Sequence, residues 1–393
     1  MVILIMVFLS LQNSSTSAQK NFCNKKYTKI DTAHFLINDK AFSSSVTYLG
    51  DFASNLSGGK QTGSTYLGIA SLSIGFETEK IGLWKGGEFF IHGAATHGGV
   101  PSKKLLGDFQ VASNIEAGNH TYIQELYYKH KFEIAEFTIG LQDLNADFVV
   151  SEFAGSFINS SFGIPSLISS NVPVPIFPLT ALGVSAMFSL SEDVTIRTAV
   201  FDGLPESFDS NEYNLGWRLN TDDGLLYFSE LQYSYNLALL PGSIKAGGYF
   251  HTHLKTVNED NGVKETLFNK NYGFYLIADQ TIARHRDGDV GLFTQFAVSP
   301  SDRNDNHYFL GGGLIYTGLL NKNGNDELGV AAACAGFCDK NIYNETTIEL
   351  FYKYPMNENL FIQPDLQYII NPASGDVALN NALAAIIRFG INF

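Results

Sequence analysis

The 393-residue chain has little charge: Asp, Glu, Lys and Arg make up 16% of it, against about 25% in an ordinary soluble domain. It also has few Met (4), Trp (2) and Cys (3). Long apolar runs are missing. The opening run from Met1 to Leu9 is too short for a transmembrane helix, which takes ~20 residues. No later stretch approaches that length. If the chain resides in a membrane it must cross as closed strands, because only helices and closed barrels satisfy their backbone hydrogen bonds in hydrocarbon.

Basic clusters are also missing, and the net charge is −14. Nothing here would neutralise phosphates, which excludes a nucleic-acid partner. There is no Gly-x-Ser-x-Gly elbow, no phosphate-cradling glycine loop and no His-Glu-x-x-His. The sequence therefore implies no enzyme, no cofactor and no metal. His251 and His253 fall on one face of a strand but have no third ligand in view, so they read as a lumen-facing pair. A barrel hydrolase with a Ser/His pair on adjacent strands is the enzymatic alternative.

The opening run, followed by Thr16, Ser17 and Ala18, fits an export signal over residues 1–18, although no Lys or Arg precedes it. Residues 19–43 then form an N-terminal periplasmic segment, and 44–393 the main body. The odd cysteine count leaves at least one of Cys23, Cys334 and Cys338 without an internal partner. A loop disulfide between Cys334 and Cys338 is one reading, and two spectator thiols the other.

What the chain does have is 31 Phe, 19 Tyr and 37 Gly, a mixture suited to a large β-architecture. Segments of about ten residues with period-two alternation recur from residue 44 to the end, the signature of a transmembrane barrel. In the last segment Leu383, Ala385, Ile387, Phe389, Ile391 and Phe393 alternate with Ala382, Ala384, Ile386, Arg388, Gly390 and Asn392. The segments place strands at 44–52, 65–76, 85–95, 120–132, 134–143, 180–190, 193–202, 225–235, 243–253, 271–282, 289–298, 308–319, 326–335, 345–354, 360–370 and 382–393.

That predicts an all-β fold: a closed transmembrane antiparallel β-barrel of about 16 strands. From residue 132 onward the connections alternate long and short, as extracellular loops and periplasmic turns do. Tyr213 to Leu219 is left in a long loop, because counting it as a strand breaks the parity. Pro364 sits inside a strand, and a bulge is the expected remedy. Tyr127, Tyr128, Phe132, Tyr233, Tyr235, Tyr352 and Tyr354 lie near proposed turns, as an aromatic girdle would. The stretch 144–179 is apolar, with prolines at 165, 173, 175 and 178. Loops this long usually carry function. It is expected either to fold into the barrel mouth and narrow it, or to pack on neighbouring loops or a sister subunit.

Alternation points a polar set into the lumen. The candidate pore-lining and solute-binding residues are Glu125, Lys129, Gln142, Arg197, Glu230 and Lys245 in the first half of the barrel, to which the family resemblance given below adds Asp143. Gln295, Glu349, Lys353, Gln363, Asp365, Gln367 and Arg388 follow in the second. Opposed charges across a constriction set both a field and a size limit. The implied partners are small polar solutes, with saccharides foremost, and outer-membrane lipid. Homo-trimeric assembly is a further expectation. A closed barrel with a structural or adhesive role is the non-porin alternative.

Several segments resemble the carbohydrate-selective porins of the OprB family. They are Tyr122 to His130, Gly140 to Phe148, Phe228 to Tyr233, Gly273 to Gln280 and Val298 to Asn304, with the tail segments Glu349 to Tyr354, Gln363 to Pro372 and Arg388 to Phe393. The likeness spans about residues 45–393. It implies a 16-stranded porin of the bacterial outer membrane that admits glucose and related sugars by diffusion. The matching pattern positions are Glu125, Asp143, Glu230, Asp279, Gln280, Glu349, Gln363, Asp365, Gln367 and Arg388. The segment Leu319 to Asn325 departs from the pattern, lacking an Arg before Asp326.

Overall fold

A computed structural model describes residues 41–219, 221–252, 255–259, 264–285, 288–321, 325–338, 343–373 and 378–393. The signal-like run, Cys23 and His253 lie outside the described residues. The strands are β1 (Phe42–Ser57), β2 (Gly63–Glu77), β3 (Gly87–Gly98), β4 (His120–Lys131), β5 (Ala135–Gln142), β6 (Ala181–Ser189), β7 (Val194–Asp202), β8 (Leu225–Leu237) and β9 (Leu240–His251). Next come β10 (Lys255–Glu259), β11 (Lys264–Phe268), β12 (Asn271–Arg284), β13 (Asp289–Val298), β14 (Asn306–Thr317), β15 (Glu327–Phe337), β16 (Glu345–Pro355), β17 (Leu360–Ile370) and β18 (Ala382–Asn392).

Sixteen of them form one closed antiparallel barrel, running β1 to β9 and then β12 to β18, with β18 returning to β1. The remaining two, β10 and β11, form a separate hairpin inside a long connection. The alternation had not shown it. The sixteen barrel strands correspond to the segments read from alternation. The main difference is in β1 and β2, which extend to leave a connection of residues 58–62 only.

Closure follows from the alternation. Large apolar side chains such as Leu72, Leu276, Leu310, Leu350 and Ile387 stay exposed on the outer wall. In water this would be a liability, but here it is the lipid-facing band. At the turn end, outward rings run as a belt across β1 to β6. Phe42 meets Phe76 at 5.3 Å, Phe76 meets Phe89 at 5.6 Å and Phe89 meets Tyr128 at 4.9 Å. Beyond them, Phe132 meets Phe137 at 5.9 Å and Phe137 meets Phe188 at 5.8 Å.

Tyr127 is not part of that girdle. A bulge sets Ile123 and Glu125 opposite the consecutive pair Gly93 and His92, leaving Gln124 as the extra residue. Past the bulge, Glu125, Tyr127 and Lys129 share the inner face.

Pro364 causes no bulge either. Phe351 pairs with Asp365 and Tyr354 with Ile362, in one unbroken register. Proline withholds a donor, so the ladder opens locally while the strand keeps its phase.

The disulfide reading is also corrected: Cys334 and Cys338 are free thiols. Cys334 is a ladder residue opposite Leu310. Four extended residues put the two Cα atoms about 13 Å apart, well beyond disulfide reach. The Cys338 thiol instead donates to the Asn304 carbonyl at 3.2 Å. Alkylation of the unfolded protein without reductant is expected to label both residues. A peptide carrying the two as an internal disulfide would contradict this strand geometry.

Candidate functional site

Two loop-end connections fold into the lumen, L2 (99–119) and L3 (143–180). L3 holds two short helices, α1 (Ser160–Gly163) and α2 (Ser166–Asn171). Its apolar residues Phe148, Val149, Phe157, Phe162, Leu167 and Ile168 are fully buried. They pack on inward rings of the wall, among them Phe228, Tyr275, Phe293, Phe309 and Phe351. The inner wall from β7 to β16 thus carries a set of rings among its polar and small residues, and L3 covers it. The first of the two expectations for 144–179 holds: it narrows the lumen.

A loop placed there has no strand partner for its backbone, and buried N–H groups demand acceptors. The wall carboxylates supply them. Glu349 accepts from the backbone N–H of Ile158 at 2.6 Å and of Asn159 at 3.0 Å. Glu230 accepts from Val149 N–H at 3.0 Å and from the Tyr275 hydroxyl at 2.9 Å. Asp279 accepts from the Ser151 hydroxyl at 2.6 Å and from Glu152 N–H at 3.1 Å. Lys245 donates to the Val150 carbonyl, Gln295 to that of Phe162 at 2.8 Å and Gln363 to that of Ser156 at 2.9 Å. Gln367 accepts from the Asn159 side chain at 3.2 Å and donates to the Ala112 carbonyl at 2.8 Å and to Asp365 at 3.1 Å.

These residues point inward as expected, but they anchor the loops. So does Arg388, whose guanidinium makes a two-pronged pair with Asp51 at 2.7 and 2.8 Å, while the Ser113 hydroxyl of L2 donates to the same carboxylate at 2.7 Å. Gln142 ties β5 to β6 through the Gly183 carbonyl and the Ser185 hydroxyl. His251 is also taken, its Nε2 lying 2.7 Å from the Gly203 carbonyl.

A second group is left uncovered, on β2 to β7 and at the turn end. There Lys129 pairs with Glu136 at 2.9 Å, Lys131 with Glu88 at 3.0 Å and His92 with Glu125 at 3.5 Å. Arg197 lies 3.7 Å from Glu230 and donates to Gln232 at 2.9 Å, and Lys353 lies 4.0 Å from Glu327. Facing this wall is the edge of L3, where Asp147 is exposed. The charge of Asp147 acts on both Lys129 and Tyr127. Asp143 opens L3: its carboxylate accepts from Asn145 N–H at 2.9 Å and from the Gln124 side chain at 3.2 Å. Burial, followed by the charge of Glu125, pushes Asp143 up to about 7. The predicted set thus divides. Glu125, Lys129, Asp143, Arg197 and Lys353 keep partly exposed side chains, and the rest are buried against loops or ladder.

Sequence reading missed Asp51 and Glu345. Glu345 accepts from Phe109, Gln110 and Ala373 N–H groups at 2.7–2.9 Å. Both lie on the inner phase of their strands, but only the fold shows that a loop meets them, through its backbone at Glu345 and through the Ser113 hydroxyl at Asp51. Asp147 was legible only as a loop acid.

L2 carries its own buried acids. Burial raises Asp108 to about 6 and Glu116 to about 7. Unfolded carboxylates titrate near 4, so the folded loop holds these protons more tightly. Their contribution to stability is fully present below about pH 4 and is lost as pH rises through about 6–7. Amide exchange across residues 102–116, corrected for its intrinsic pH dependence, is expected to be slower at pH 5 than at pH 8. Equal protection at both would contradict the burial. Glu349→Ala strips acceptors from two buried N–H groups. It should cost roughly 2–4 kcal/mol in urea unfolding and raise the solute size limit in liposome swelling. An unchanged size limit would show that L3 is held without Glu349.

With this geometry in view, the chain was compared with known proteins. The model of the carbohydrate-selective porin, OprB family, matches residues 61–393. Porin B of Pseudomonas aeruginosa is 24% identical over 411 aligned positions, spanning 89% of this chain and 87% of that protein. The high-pH structure of Pseudomonas putida OprB superimposes with a TM-score of 0.81 at 20% identity, covering 90% of this chain and 95% of the other. The low-pH structure of the same protein gives 0.59 at 17% identity, covering 90% and 93%.

Proposed function

The chain belongs to the carbohydrate-selective porin family of OprB type, an outer-membrane channel protein rather than an enzyme, and on that premise we propose that its solutes are small neutral saccharides. The observation that carries this reading is the charge pairing along the uncovered wall. Lys129, Lys131, Arg197 and Lys353 each stand within 4.0 Å of a carboxylate. No free cation from this set is offered to an anion, and Asp147 adds negative charge at the L3 edge. Anionic solutes are disfavoured, while paired donors and acceptors suit polyols. Residues 1–18 act as the export signal that delivers the chain.

The test is single-channel conductance of refolded protein in planar bilayers. Stepwise openings reduced by millimolar glucose or maltose, and indifferent to a sugar acid, are expected. Steps indifferent to every sugar would remove the saccharide assignment. No steps from demonstrably folded protein would favour a closed structural barrel.

A further inference from the structure

Deepening that reading, on which it rests, we propose that Phe90, backed by the stacked ring of Tyr127, forms a stacking platform for one pyranose ring on the uncovered inner wall. Hydroxyl contacts would come from Glu125 and His92 on one side, and from Lys129 with its carboxylate partner on the other.

The register builds the platform. At one level the inner face reads Ser43, Gly75, Phe90, Tyr127, Gly140 and Gly183 across β1 to β6. Two rings therefore stand in a row otherwise made of glycine and serine, each covering one face of the other, and beyond Phe90 the row continues with only Gly75 and Ser43. The rings are parallel-stacked, 5.0 Å between centroids and 25° between planes. Both are half-buried and lie away from the apolar cluster beneath L3. Inward aromatics elsewhere in the barrel, such as Phe228 and Phe293, are sealed under the loop.

The rows above and below are polar. One step towards the loop end, Ser73, His92 and Glu125 share a level. One step towards the turn end, Glu77, Glu88, Lys129 and Thr138 do. Each row lies about 7 Å along the strand from the rings, a spacing that accommodates one pyranose between them. The Lys129 ammonium lies over the Tyr127 ring, 5.6 Å from its centroid, which leaves the outer face of Phe90 as the open one. Asp147 faces the same spot from L3.

A pyranose has a flat face of C–H groups and a rim of hydroxyls. The rings take the face, and charged groups take the rim with stronger hydrogen bonds than neutral ones provide. The paired charges cancel over a short range, so the platform binds neutral rings without holding counter-ions.

The experiment is glucose-induced blockade of single-channel current in planar bilayers, with folding checked by heat-modifiable mobility on gels. Replacing both rings, Phe90→Leu with Tyr127→Leu, is expected to raise the half-blocking glucose concentration roughly three- to ten-fold. Tyr127→Phe should restore most of the affinity. If the double variant does not fold, Glu125→Gln supplies the polar arm and should also weaken the block. Blockade unchanged in the ring variant, or in Glu125→Gln when that stands in for it, overturns the platform while leaving the saccharide reading intact. Wild-type current indifferent to sugar overturns both.

Discussion

A peptide N–H or C=O without a partner in hydrocarbon costs several kcal/mol, and the architecture is organised around avoiding that cost. The outer wall meets it by closure, each barrel strand laddered on both sides and β18 returned to β1. The same demand recurs inside the lumen. L3 is an irregular segment buried against the wall, so its amides need acceptors that no strand provides. Glu230, Asp279 and Glu349 accept them. A polar residue facing the lumen can thus serve the loop's backbone rather than a passing solute.

This divides the interior in two. Along β7 to β16 the wall carries most of the inward rings and is covered, and its carboxylates are spent on loop amides. Along β2 to β7 the wall is half-buried and ionic, with cations matched by acids. L3 belongs to both, since its apolar side chains pack on the covered wall while Asp147 faces the uncovered one.

The barrel was legible in the sequence because period-two alternation survives wherever one face meets lipid and the other is polar. β18, with Ile387 outward and Arg388 inward, is such a case. The phase also placed the candidate residues on the correct face. Their role was not legible. Whether Glu349 or Lys129 is free depends on where a loop returns, and that is decided by contacts up to 191 residues apart. β13 shows a second limit. Phe293 is buried inward and Phe296 exposed outward, so both faces are apolar and the period alone carries little information about the lumen. Tyr127 shows a third, since the single extra residue at Gln124 sets its facing. Pro364 shows the reverse: a residue that usually signals a break is absorbed by leaving local ladder bonds unmade.

The clasp between Arg388 and Asp51 joins positions 337 apart in sequence. Asp51 is made early and spends nearly the whole of synthesis and export without its counter-charge. The barrel cannot be sealed until the final strand arrives. Pairings of such separation carry the largest loop-closure entropy and form late. Assembly of this chain is thus timed from its C-terminus, and a nascent or truncated chain exposes a β1 edge that invites pairing with the wrong strand.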